Sequence, residues 1–389
     1  MTERVVIAST ARTPFTRAIK GELKDTRPDT MAAHVIKEAI ARVPGLKPAD
    51  VEDVVMGCAM PEAEQGMNVA RLSTLLAGLP DSVPAMTVNR FCASGVQSIA
   101  QVAQAIQAGQ YQVGIAGGVE TMSMIPMGGN KVSASPELME QHPEIYTSMG
   151  ATAENIAARF NVSRADQDAF GLASQQKAGK ARTEGKFKDE IAPMKVRVFD
   201  DAGKANDITL SEDTILRPET NLEGLQKLKP AFDPKGTVTA GNASPLTDGA
   251  AAAVVMSESK AKALNVKPLG YFVDFAVAGV PPDIMGIGPV PAVKKLLERN
   301  KLKASDVDVF ELNEAFAAQS LYCMRELGLD PAKVNPNGGA IALGHPLGVS
   351  GTRMVGTVLR ELKRRGGKYG VVTMCIGGGM GAAALLQSA

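Results

Sequence analysis

Four short stretches of the chain hold side chains that could do chemistry together: Asn89-Arg90-Phe91-Cys92-Ala93-Ser94-Gly95, Asn313-Glu314-Ala315-Phe316, Gly344-His345-Pro346 and Cys375-Ile376-Gly377-Gly378-Gly379. They supply two thiols, an imidazole and a carboxamide, set among small residues that let backbone and ligand come close. Such a set suits nucleophilic catalysis through sulfur. One thiol attacks a carbonyl carbon, the imidazole takes its proton, the second thiol exchanges protons, and backbone N–H groups hold an oxyanion. Cleavage of a carbon–carbon bond beside a thioester needs that combination.

Cys92 comes just before a helix expected from about Gly95 to Ala108. Unpaired N–H groups and the positive end of the helix dipole should lower its pKa. An isolated buried cysteine is more often structural; the Ala-Ser-Gly setting and the other three motifs favour the nucleophile. His345 lies in the glycine-rich run from 338 to 348, and of the three histidines His34 and His142 have no comparable surroundings. His345 is therefore the general base that the sequence offers.

Cys375 follows the apolar run Val371 to Met374 and precedes Gly377 to Gly381. A thiol there can give and take protons while glycine amides bind an oxyanion; a plain tight turn is the competing reading. No Lys-Ser/Thr pair follows, so it is not a phosphate cradle. Asn313 falls at the carboxyl end of an expected strand, Val309 to Leu312, where open α/β sheets bind ligands. An ordinary helix cap for the segment from Ala315 competes with that role, and both can hold.

The elements that must position these groups recur. Val35 to Arg42 leads into Leu46-Lys47-Pro48-Ala49-Asp50 and the apolar Val54-Val55, as Ala292 to Arg299 leads into Leu302-Lys303-Ala304-Ser305-Asp306 and Val309-Phe310. Val88-Asn89, a helix and the strand Val113 to Ala116 are matched by Val334-Asn335, a helix from about Gly351 to Arg364 and the strand Tyr369 to Met374. The fold class read from this is α/β, as two similar halves of alternating strands and helices. The boundaries expected are 1–121 plus 247–268 for the N-terminal half, 122–246 for an inserted loop domain, and 269–389 for the C-terminal half. In the insert, helices are expected over Ala151 to Phe160 and from Arg164 to about Ala181, the latter capped by Ser163. Ala250 to Met256 should be a buried strand returning to the first half.

At 389 residues the chain exceeds one growing core, and 45% apolar with 21% charged residues is ordinary globular composition. A net charge of +1 gives no general attraction to nucleic acid or an anionic membrane. Four scattered cysteines, Cys58, Cys92, Cys323 and Cys375, support neither a metal site nor a disulfide framework. No secretory leader or membrane span is read, and a cytoplasmic location is the expectation.

With these motifs in place the chain resembles the thiolase family over its whole length, most closely the degradative 3-ketoacyl-CoA thiolases. Ala11-Arg12-Thr13-Pro14-Phe15, Gly117-Gly118-Val119-Glu120-Thr121-Met122-Ser123, Pro230-Ala231-Phe232-Asp233 and Thr239 to Ser244 carry the likeness further. The resemblance implies a five-layered αβαβα body with a loop domain covering coenzyme A, which is a co-substrate and not a permanently bound cofactor. It makes Cys92 the acylated nucleophile, His345 its base and Cys375 the acid and base at the α-carbon and thiol. It has Asn313 fix a water that binds the thioester oxygen with His345, and the N–H groups of Cys92 and Gly377 bind the other oxyanion. Ser244, Phe316, Met149 and Phe232 are expected along the coenzyme A path, with Arg217 near its nucleotide end. Val349 and Ser148 depart from the pattern of many relatives; the first should alter packing at His345, the second leans toward the degradative class.

The expected reaction is ping-pong thiolysis of a 3-ketoacyl-CoA by CoA in fatty acid β-oxidation. The alternative is an acetyl-CoA C-acetyltransferase condensing two acetyl-CoA. A decarboxylating ketoacyl synthase would need no acid such as Cys375 and would carry a second histidine at Asn313. A catalytically silent CoA-binding subunit would need none of Cys92, His345 and Cys375. The resemblance also implies a homodimer or homotetramer, with association to a multifunctional β-oxidation subunit among its known assemblies.

Overall fold

A computed structural model describes residues 3–200 and 202–389. The chain begins with β1 (Val5–Arg12), β2 (Thr16–Arg17), α1 (Pro28–Ala41), β3 (Asp53–Gly57), α2 (Val69–Leu76), β4 (Ala85–Val88), α3 (Ser94–Gln107) and β5 (Val113–Glu120). There follow α4 (Pro136–Gln141), α5 (Met149–Arg159), α6 (Arg164–Thr183), the hairpin of β6 (Met194–Phe199) and β7 (Ala205–Leu210), and α7 (Leu222–Gln226). Then come β8 (Thr247–Ser257), α8 (Glu258–Ala263), β9 (Gly270–Gly279), α9 (Pro289–Arg299) and β10 (Val309–Leu312). The chain closes with α10 (Ala317–Leu327), α11 (Ala340–Leu343), α12 (Ser350–Arg365), β11 (Tyr369–Ile376) and β12 (Met380–Ser388).

The main sheet runs β10-β11-β12-β9-β1-β8-β5-β3-β4, with β2 beside β8. From its middle outward the two sides match: β1, β8, β5, β3 on one and β9, β12, β11, β10 on the other. In each, the second strand is antiparallel to its neighbours and the outer pair is parallel. The seam, β1 against β9, is joined over Val5 to Ile7. The duplication extends to the turns. The Lys47 N–H donates to Asp50 Oδ2 at 2.9 Å, and the Lys303 N–H donates to Asp306 Oδ2 at 2.8 Å, so the recurring acidic residue closes the same turn twice.

Apolar faces dictate the layers. α1 and α2 cover the outside of the first sheet half, and α9 and α10 the outside of the second. α3 and α12 lie between and share one core with both halves, giving αβαβα. A central helix must be buried nearly all round, and α12 is: Val358, Leu359 and Leu362 are fully buried, each worth about 1.5–3 kcal/mol over exposure. Among the described residues no helix is long and apolar enough to cross a membrane.

Several boundaries differ from expectation for local reasons. β5 continues to Glu120 because Gly117 and Gly118 keep the ladder with β3 and β8; a side chain at Gly118 would strike the Gly348 carbonyl. α5 begins at Met149 because Ser148 caps it, accepting the Ala151 N–H at 3.4 Å. Ser163 caps α6 as expected, accepting from Asp166 at 3.1 Å.

Candidate active site

Cys92 lies in a 3-10 turn, Phe91–Ala93, between β4 and α3. Phe91 has φ 42°, a left-handed conformation costly for a side chain of that size. The turn is held because the Phe91 N–H donates to Asn89 Oδ1 at 2.8 Å, while Asn89 Nδ2 donates to the Ala59 carbonyl at 3.0 Å. The expected depression of the thiol pKa is not observed. Burial pushes Cys92 up to about 11, and the N–H groups of Gly377 and of Cys92 itself recover only part of that. Taking a thiolate out of water outweighs a helix start that begins two residues later. The nucleophile therefore depends on a base.

His345 follows Gly344, whose φ of 91° requires glycine. Its main-chain N–H donates to Thr247 Oγ1 at 3.1 Å, and the Gly348 N–H donates to Glu120 Oε2 at 2.8 Å, so the loop is gripped from the opposite half. The ring sits between Ser350 Oγ, 2.6 Å from Nδ1, and Asn313 Nδ2, 3.1 Å from Nε2. Burial, aided by the charge of Arg353, lowers its pKa to about 3, so the imidazole is neutral. Asn313 is not a helix cap. α10 begins at Ala317, with Gln319 Oε1 accepting the Phe316 N–H at 3.1 Å. Asn313 Oδ1 is buried with no partner in the described protein, a position suited to a bound water. Val349 packs with Phe15, Ile215 and Ala251.

Cys375 is buried near the end of β11, with its pKa raised by burial and then by the charge of Cys92. The two sulfurs thus lie within electrostatic reach of each other. Gly377 turns an N–H toward Cys92, and a Cβ on Gly377 would lie 3.5 Å from Met149 Sδ. Cys92 comes from the first half, while Asn313, His345, Cys375 and Gly377 come from the second. Among the described residues no three of His, Cys, Asp and Glu gather as metal ligands.

A cavity of about 300 Å³ includes Arg17, Gln175, Arg217, Phe232, Ser244 and Ile341 in its wall. Ser244 Oγ donates to the Ala315 carbonyl at 3.1 Å, which ties this wall to the segment after Asn313. Phe232, 49% exposed, meets Phe316 edge-on at 5.9 Å. Phe316 and Met149 are not on the cavity wall; with Cys375 they form an apolar cluster that shares Ala243 with it. Sequence reasoning missed Ser350, Thr247, Glu120 and Gln175, which hold His345, its loop and Arg217. A lone acid ending a glycine-rich buried strand could have flagged Glu120.

A duplicated αβαβα body with two thiols and an imidazole between its halves is that of an acyltransferase of the thiolase fold. The family models Thiolase, N-terminal domain and Thiolase, C-terminal domain match residues 5–259 and 266–388. The chain belongs to the thiolase family. It is 51% identical over 389 residues to the 3-ketoacyl-CoA thiolase of Bacillus subtilis (strain 168), covering 99% of each. It is 48% identical over 386 residues to the peroxisomal 3-ketoacyl-CoA thiolase of Homo sapiens, covering 98% of this chain and 90% of that one. Among solved structures, the dimeric peroxisomal thiolase of Saccharomyces cerevisiae has TM-score 0.89 and 42% identity, covering 100% of this chain and 98% of that one. The Bacillus anthracis acetyl-CoA acetyltransferase has TM-score 0.90 and 39% identity, covering 100% and 99%.

Proposed function

We propose that this thiolase cleaves 3-ketoacyl-CoA with CoA, giving acetyl-CoA and a shortened acyl-CoA in fatty acid degradation. The observation that carries the reading is the pairing of two buried thiols, the charge of one reaching the other, with a neutral imidazole held between an amide and a hydroxyl. His345 takes the Cys92 proton and the sulfur attacks the 3-keto carbon. The C2–C3 bond breaks, its electron pair stays on C2 as an enolate, and the Cys375 thiol protonates C2. CoA then gives its thiol proton to Cys375 and attacks the Cys92 thioester, and Cys92 regains its proton from His345. Splitting one transfer through a covalent thioester lowers each barrier, and N–H donors in a dry site steady each oxyanion. CoA would enter along Arg217, Phe232 and Ser244, with Phe316 and Met149 deeper toward sulfur.

The boundaries 1–121 with 247–268, 122–246 and 269–389 fit this reading, supported by the return of β8 between β1 and β5. A second copy of the chain is the partner proposed. The edge strand β4, with Met86 and nearby Met67, Leu75 and Leu76 exposed, offers it an apolar face. A cytoplasmic location is supported by four free thiols.

The test is to weigh the protein after mixing with a 3-ketoacyl-CoA and no CoA. An adduct of the shortened acyl group on Cys92, absent from Cys92→Ser, is expected. No adduct on the unaltered protein would leave a CoA-binding role instead.

A further inference from the structure

Ser350, the first residue of α12, is fully buried, and its hydroxyl has two neighbours. It lies 2.6 Å from His345 Nδ1 and donates to the Pro346 carbonyl at 3.1 Å. A carbonyl can only accept, and a serine hydroxyl has one hydrogen. With that hydrogen on Pro346, the short contact to Nδ1 requires the imidazole to donate. At the other end of the ring, Asn313 Nδ2 lies 3.1 Å from Nε2. An amide nitrogen only donates, so Nε2 must accept. One tautomer satisfies both contacts together and leaves the Ser350 hydrogen on Pro346.

We propose that Ser350 is a positioning residue that fixes the tautomer of His345, holding the proton on Nδ1 and leaving Nε2 as the basic nitrogen. This rests on the reading of His345 as the base. The opposite tautomer would set N–H against N–H at Asn313 and take the hydroxyl from Pro346. The ring cannot escape by moving its loop: Thr247 Oγ1 accepts the His345 N–H and donates its own hydrogen bond to the Pro245 carbonyl at 2.7 Å, while Glu120 holds Gly348. The neutral state is secured by burial and by Arg353, so the contacts alone decide which nitrogen carries the proton. When Nε2 receives a proton from a thiol, Nδ1–H already points at Ser350 Oγ, and no group needs to turn.

The full chain labelled with 15N-histidine tests this, because it has three histidines and the His345 signals are identified by their loss in His345→Asn. At neutral pH the unaltered protein is expected to show a protonated Nδ1 and a bare Nε2. Ser350→Ala, a substitution that a helix start accepts, leaves Asn313 as the one remaining contact that sets the tautomer; it is expected to raise the share protonated on Nε2 and to lower kcat roughly ten- to a hundredfold with KM for CoA little changed. Ser350→Thr, which keeps the hydroxyl, should move both readings back. A proton on Nε2 in the unaltered protein, or an identical nitrogen pattern in Ser350→Ala, overturns the proposal. The nitrogen signals are independent of turnover, so a missing acyl adduct would defeat the proposed function without deciding the tautomer.

Discussion

Glu120, the last residue of β5, accepts the backbone N–H of Gly348 across the junction of the two halves at 2.8 Å. The same carboxylate accepts the N–H groups of Ala59 at 2.8 Å and Met60 at 3.2 Å, and Gln65 Nε2 at 3.0 Å. Ala59 in turn receives Asn89, whose Oδ1 shapes the turn holding Cys92. One buried carboxylate therefore joins the loop of the thiol to the loop of the imidazole.

Glu120→Gln keeps the shape and sets an NH2 group against N–H donors that the carboxylate now accepts. A buried donor left without an acceptor costs about 1–3 kcal/mol, so the melting temperature should fall. Loosening the two loops should also lower kcat roughly tenfold or more, since small errors in placement are costly. Thermal unfolding and steady-state rates check both; an unchanged kcat would show that Glu120 is not what holds the loops in register.

Cys92 has its pKa raised to about 11, chiefly by burial. Its thiolate fraction should therefore climb about tenfold per pH unit between 7 and 10. Alkylation of Cys92 by iodoacetamide, followed by mass, should rise in step. A rate that levels off near pH 7 would mean that the resting thiol is ionised by His345 and that burial does not control it.

The four motifs and the duplication were legible because each is local: a strand end, a small-residue turn, an acid closing the turn at Asp50 and again at Asp306. What the sequence hid is what crosses between distant segments. Ser350 reads as one more polar residue of a helix start until its hydroxyl is seen against Nδ1, and Thr247 and Glu120 act from the other half. The Cys92 pKa was misread for the same reason, since helix polarity is visible in sequence and desolvation is set by everything packed around the sulfur. Met149 and Phe316 pack in one apolar cluster with Cys375, a contact between distant segments that nothing in their spacing announces.

Cys375 is assigned the proton on carbon and that of the CoA thiol, and Cys92 the acyl group, so their substitutions should separate. Acylation of Cys92 by a simple acyl-CoA breaks a carbon–sulfur bond and generates no carbanion. Cys375→Ser should still form that adduct, only more slowly, because a thiolate leaves without help far more easily than a carbanion, while cleavage of a 3-ketoacyl-CoA falls roughly a hundredfold or more. Mass measurement with an acyl-CoA and turnover with a 3-ketoacyl-CoA check the split; an adduct lost as completely as turnover would show that the leaving thiol depends on Cys375 as much as the carbanion does.

Arg353 Nη1 donates to Glu311 Oε2 at 2.8 Å, a buried contact that links β10, which leads to Asn313, with α12, which carries Ser350. Burial raises the Glu311 carboxyl from 4.5 to about 8, with Arg353 opposing and the charges of Glu190 and Glu314 adding. The folded state thus holds this proton more tightly than the unfolded chain does. The contribution to stability is complete below about pH 4.5 and is lost as pH rises through 8. Glu311→Gln cannot lose a proton, so the stability of the unaltered protein relative to the variant should fall between pH 5 and pH 8. Urea midpoints of both proteins at the two pH values check this. A difference that stays flat or grows with pH would show that Arg353 keeps Glu311 ionised throughout and that attraction across the pair exceeds the cost of burial.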